Sequence, residues 1–199
     1  LVGRMFTAKM VELALANYPG LYMGGAVRSG GPVLVYWPAL IDSKHIKETV
    51  HIDGKEIDVM PTNQLNLEET YYQKQPVEMP PPPSGETLNK PLGELFGARS
   101  GDKGGCANIG VWAKNQNAFS FLNNYLTIEK IKELMPDISE FKIDRYELPN
   151  ILSLNFYIHD ILEDGVSSNT RKDGQAKSLG EYLRAKYADI PKSLLEENI

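Results

Sequence analysis

Four consecutive prolines, Pro80 to Pro83, constrain this chain more than any other feature of its sequence. Proline lacks an amide hydrogen and fixes φ, so such a run can enter neither a helix interior nor a sheet interior. It reads as a stiff polyproline spacer that runs into a turn at Ser84-Gly85. The division this predicts is residues 1–75, a proline-rich linker over 76–91, and a compact domain over 92–199. A long surface loop within one domain is the alternative reading.

With 199 residues, 42% hydrophobic and 24% charged, the chain can build one large core or two small ones. A net charge of −5 speaks against a nucleic-acid surface, which would carry a basic stripe. No apolar run approaches the roughly 20 residues that span a bilayer, so no membrane is expected. Cys106 is the only cysteine, which excludes an internal disulfide and a multi-cysteine zinc site. A reducing compartment follows as the simplest expectation. The chain starts at Leu1 with no leader-like segment, so a missing N-terminal domain is expected. Cytoplasmic placement is expected on these grounds, with a mitochondrial one left open by that missing start.

In the first part, Phe6, Met10, Leu13 and Ala14 recur on one helical face, predicting a helix over 5–17. Residues 33–37 read as a buried strand. Residues 50–59 centre on Asp53-Gly54, the favoured two-residue hairpin turn, which sets Val50 opposite Ile57. In the second part, residues 92–98 read as a strand, a glycine-rich loop follows, and residues 108–114 read as its partner. Ala118, Phe121, Leu122 and Tyr125 keep helical spacing, and Thr127 is placed to cap a second helix that Pro136 ends. Residues 142–148 and 151–159 read as a hairpin about Pro149-Asn150. There Leu152, Leu154, Phe156 and Ile158 face a core while Ser153, Asn155, Tyr157 and His159 face away. Ala176, Leu179, Gly180, Leu183 and Tyr187 form a last helical stripe. Two strands, a helix, two strands and a helix predict an α+β sandwich with helices on one sheet face.

The loop from Arg99 to Asn108 is the candidate functional site. Gly101, Gly104 and Gly105 allow unusual backbone angles and close approach of a ligand. Successive amides in such a turn can make an anion nest, with Arg99, Ser100 and Lys103 adding charge and hydrogen bonds. Asp102 and Lys103 are the candidate proton-handling groups. Asn108 and Asn155, if their strands are neighbours, could hold a carboxylate or carbonyl by paired hydrogen bonds. The order of residues fits neither a P-loop, a dinucleotide fingerprint nor a nucleophile elbow. His45, His51 and His159 are dispersed, so no metal site is expected, and no cofactor is evident. Cys106 reads better as a small strand residue than as a nucleophile. The segment Arg171-Lys172-Asp173-Gly174 reads as a solvated turn, and Tyr36-Trp37-Pro38 as core.

Residues 98–104, Ala-Arg-Ser-Gly-Asp-Lys-Gly, together with Ala107-Asn108-Ile109-Gly110-Val111, resemble the signature of the acyclic terpene utilisation protein A (AtuA) family. Arg145-Tyr146-Glu147-Leu148-Pro149, Leu154-Asn155-Phe156 and Gly165-Val166 extend the resemblance. Tyr18-Pro19-Gly20 and Tyr36-Trp37-Pro38 resemble the end of that family's large N-terminal domain, and the C-terminal segment is similar to eukaryotic, fungal-like members. The resemblance implies a ferredoxin-like domain preceded by a helix-plus-strands remnant of a larger α/β domain. It also implies carboxylic acid or acyl-CoA catabolism, with a lyase as one assignment. Arg99, Ser100, Gly101, Gly104, Asn108 and Asn155 would bind the substrate, and Asp102 and Lys103 would carry the chemistry. The expected partners are the missing domain, a small carboxylate or acyl-CoA, and further copies in a homo-oligomer. A non-catalytic assembly or ligand-binding module is the alternative.

Overall fold

The computed structural model describes residues 3–16, 19, 21, 25, 28, 30–32, 34–35, 37–59 and 77–196. The chain divides into two compact units, residues 1–35 and 36–199. In the first, helix α1 spans Arg4–Ala16, as its periodicity predicts, and none of its residues is buried. The expected strand at 33–37 does not form at its described positions. Leu34, Val35 and Trp37 have no regular structure and stand exposed, and Val33 and Tyr36 lie outside the described residues. Hydrophobic content alone makes no strand without a ladder partner.

In the second unit, β1 (Glu48–Ile52) and β2 (Lys55–Val59) form the hairpin read from Asp53-Gly54, with Val50 opposite Ile57. Asp53 and Gly54 both take left-handed φ, at 50° and 71°, which is what this turn requires. The segment read as linker ends in order: β3 (Thr87–Pro91) pairs antiparallel with β8 (Tyr187–Pro191). Ahead of β3, the Ser120 hydroxyl donates to the Pro80 carbonyl at 2.6 Å, so the proline run supplies an acceptor rather than a ladder.

The main body is a four-stranded antiparallel sheet in the order β4-β5-β7-β6. Its strands are β4 (Gly97–Lys103), β5 (Cys106–Trp112), β6 (Ile143–Leu148) and β7 (Ser153–Ile158). Between β5 and β6 lie α2 (Gln116–Tyr125) and α3 (Ile128–Leu134). Since β7 is antiparallel to both β5 and β6, those two run parallel with β7 inserted between them. This is a split β-α-β unit, the element of the ferredoxin-like fold. Helix α4 (Leu179–Arg184) follows β7 and packs on β4, which therefore closes the sheet from the front of the domain instead of its end.

Alternation decides which face is covered. Ala107, Ile109, Val111, Leu154, Phe156 and Ile158 are all buried, together with Phe119, Leu122 and Ile131 from the helices. Each such large side chain contributes about 1.5–3 kcal/mol through removal from water. Asn115 caps α2 by accepting from the Ala118 amide at 2.8 Å, and Thr127 caps α3 by accepting from the Lys130 amide at 3.1 Å. Arg145 ties β6 to the end of α2, its Nε donating to the Leu126 carbonyl at 3.0 Å.

Three local expectations are corrected. Residues 92–94 form a 3-10 turn and the strand begins at Gly97. Leu152 precedes β7 with a left-handed φ of 51°, half-buried against the core. The last stripe is only partly helical: Ala176 lies in a turn with φ 53°, and Tyr187 opens β8. Periodicity found buried positions at Ala176, Leu179, Gly180 and Leu183, whereas Tyr187 stands exposed. It could not tell a helix from the turn and strand that flank it.

Candidate functional site

The glycine-rich segment is a tight hairpin, not an open loop. β4 and β5 pair from Gly97↔Trp112 to Lys103↔Cys106, and only Gly104 and Gly105 turn. Gly104 has a φ of 68°, which suits it to a two-residue connection. A side chain at Gly105 would collide with the Glu163 carbonyl oxygen, and the Leu162 amide donates to the Gly105 carbonyl at 2.8 Å. The hairpin tip is thereby held against the loop that follows β7.

Because the segment is a strand, its side chains alternate between faces. Arg99, Gly101 and Lys103 share the uncovered face with Asn108, Gly110 and Asn155, as the pairs Arg99↔Gly110, Gly101↔Asn108 and Gly110↔Asn155 require. Ser100 and Asp102 sit on the helical side, opposite Ile109 and Ala107. There the Ser100 Oγ accepts from the Gly180 amide at 2.9 Å, and α4 lies so close that a side chain at Gly180 would press on the Arg99 backbone. Asp102 and Lys103 therefore point to opposite faces, although both line one depression at the β4 edge. That depression has a volume of about 330 Å³ and is lined by Arg99, Ser100, Asp102, Lys103, Asn108 and Lys177, among others.

Three cations, Arg99, Lys103 and Lys177, line this depression beside a single carboxylate, Asp102. None of Arg99, Lys103 and Lys177 forms a salt bridge among the described residues; Lys103 Nζ donates only to the Asp102 carbonyl, at 2.9 Å. The floor is bare at Gly101, where an added Cβ would meet nothing, and nearly so at Gly110. Beyond the glycines, Asn108 Nδ2 donates to Asn155 Oδ1 at 2.9 Å. The two asparagines are thus brought together on neighbouring strands.

Further along the same face lie groups the sequence reading set aside. His159 Nε2 is 2.7 Å from Asp144 Oδ2, and this hydrogen bond holds the Asp144 carboxyl below the usual range. The Tyr157 ring meets the His159 ring edge-on, with centroids 4.9 Å apart. A hydrogen-bonding contact with Cys106, helped by burial, pushes the Tyr157 hydroxyl up to about 12. Cys106 is a half-buried free thiol, and the Asp160 amide points at its sulfur. The available signal was the alternation of Asn155, Tyr157 and His159 on one face of β7.

A larger groove of about 670 Å³, lined by Arg171, Lys172, Asp173, Ser178, Glu181 and Tyr182, contains none of the expected site residues. Its lining mixes both signs of charge, whereas the β4 depression is dominated by cations. Among the described residues no group of three or more His, Cys, Asp or Glu side chains could hold a metal ion, and no helix is long and apolar enough to cross a membrane.

A split β-α-β sheet with helices on one face and a polar, uncovered opposite face defines a ferredoxin-like α+β domain. Residues 90–188 match the AtuA ferredoxin-like domain, and through this domain the chain belongs to that family. No curated protein and no solved structure matches the chain.

Proposed function

We propose that the uncovered sheet face binds a small carboxylic acid, or the acyl part of its thioester, as part of an enzyme of carboxylic acid or acyl-CoA catabolism. The observation that carries this reading is the trio Arg99, Lys103 and Lys177, cations without carboxylate partners among the described residues, around a trough floored by glycine. A carboxylate there would accept charge-assisted hydrogen bonds worth about 1.5–3 kcal/mol each. Ser100 and Gly104 act at one remove, the first docking α4 and the second setting the hairpin. Asp102, which lines the same depression from the helical side, is the proton-handling candidate left once Lys103 anchors the carboxylate. Calorimetric titration with valerate tests the reading. Binding by the native chain, weakened at least about tenfold in Arg99→Ala, is expected, since one lost charged hydrogen bond of this size corresponds to that factor.

A second reading, an assembly module, draws on the other end of the same face. Trp112, Tyr146 and Leu148 are exposed there, an apolar cluster of the kind partner surfaces use. Sedimentation of the native chain against Tyr146→Asp distinguishes them: a dimer lost in the variant favours assembly, and a monomer throughout favours the ligand site.

A further inference from the structure

Tyr157, His159 and Asp144 form a second constellation on this face, away from the cationic edge. Gly101 pairs with Asn108, Asn108 with Tyr157, and Tyr157 with Asp144, so one row of the sheet leads from one site to the other. Strands lie about 4.8 Å apart, which puts Tyr157 about 10 Å from Gly101. Long cationic side chains shorten the gap that a ligand has to cross.

Proton positions in this group follow from its hydrogen bonds. Asp144 is held in its ionised form by His159, and an ionised carboxylate only accepts. The shared hydrogen therefore sits on His159 Nε2, so in the neutral ring Nδ1 carries the lone pair, the arrangement of an oriented base. The charged and titratable groups around the ring are Asp144 from β6, Lys142 just before it, Cys106 from β5, and Tyr157 and Asp160 on its own segment. Lys142 Nζ is 3.7 Å from Asp144 Oδ1, whereas the imidazole bonds to Oδ2. The Tyr157 hydroxyl keeps its hydrogen across the neutral range and can donate it to an oxygen.

We propose that His159, positioned by Asp144, removes a proton from carbon beside a substrate carbonyl while Tyr157 donates a hydrogen bond to that carbonyl. The inference rests on the carboxylate reading of the β4 edge, because Arg99 and Lys103 anchor the acid whose carbonyl reaches Tyr157. The substrate class is thus a short oxo acid. In the step, the C–H bond breaks and its proton goes to His159 Nδ1. The electron pair becomes the carbon–carbon double bond of an enolate, and the negative charge falls on the oxygen facing Tyr157. Return of the proton restores the ketone, so nothing is oxidised or reduced.

Levulinate and valerate, five-carbon acids that differ by one ketone, make the test. The full chain is placed in deuterated buffer, and loss of the levulinate protons beside the ketone is followed by proton NMR. Exchange at least about a hundredfold above buffer is expected, at the low end of general-base effects. It should vanish in His159→Gln and fall in Tyr157→Phe, which keeps the ring against His159. Asp144→Asn should slow exchange and alter its pH dependence without changing valerate binding, which a purely structural role would not do. Valerate binding by each variant also verifies that the fold survives. Levulinate that binds at Arg99 and Lys103 yet exchanges at the buffer rate, or equally fast with His159→Gln, overturns the proposal and leaves the carboxylate reading standing. If neither acid binds, both fall.

Discussion

Asn108 Nδ2 donates to Asn155 Oδ1 across two neighbouring strands, at 2.9 Å. This bond fixes both amides and leaves Asn108 Oδ1 and Asn155 Nδ2 for a ligand lying over Gly101 and Gly110. Asn155→Asp would keep an acceptor for Asn108 but place a carboxylate beside the trough. Valerate affinity should fall by about tenfold or more through like-charge repulsion, with thermal stability nearly unchanged. Calorimetry paired with thermal melting checks both halves.

Gly97 is required by its cross-strand partner. The Trp112 indole lies over it so closely that any Cβ would strike the ring, and the pair sits at the end of the uncovered face. Gly97→Ala should cost about 1–3 kcal/mol, the range for forced overpacking, and should expose the indole. A lower urea midpoint and a red-shifted Trp112 emission, recorded with Trp37 replaced by Phe, would show it.

Acid should weaken the turn that feeds α4. Burial raises the Asp173 carboxyl, but hydrogen bonds from Ser178 and from the Lys177 and Ser178 amides more than offset it and leave it below the usual 3.8. A carboxyl depressed in the folded state contributes stability above its unfolded value, and that contribution is lost as pH falls through the folded value. Asp173→Asn should therefore be less stable than native near neutrality, with the gap closing as the pH falls below 3.8. Urea unfolding at a series of pH values measures the gap.

The second unit was legible because its signals are local and periodic. The Asp53-Gly54 turn, the Thr127 cap and the alternation of β7 each depend on neighbours within a few residues. What sequence could not show depends on partners far along the chain. β3 becomes a strand only because β8 returns beside it, and the glycine-rich segment becomes a strand only because β5 supplies its ladder. Glycine content pointed to a loop; pairing with β5 outweighed that preference. The site followed the same rule. Arg99, Asn108 and Asn155 do share a surface, but reading Asp102 and Lys103 as one loop hid their opposite orientation. His159 looked isolated because Asp144 reaches it from another strand.

In the proposed complex, Arg99 and Lys103 hold a carboxylate on the open sheet face. Titration of the isotope-labelled chain with valerate, read by amide NMR, tests it most directly. The expected result is saturable shifts centred on Arg99, Gly101, Lys103 and Asn108 that disappear when Arg99 and Lys103 are both replaced by Ala. No shift on this face, or the same shifts in the double variant, would contradict the account.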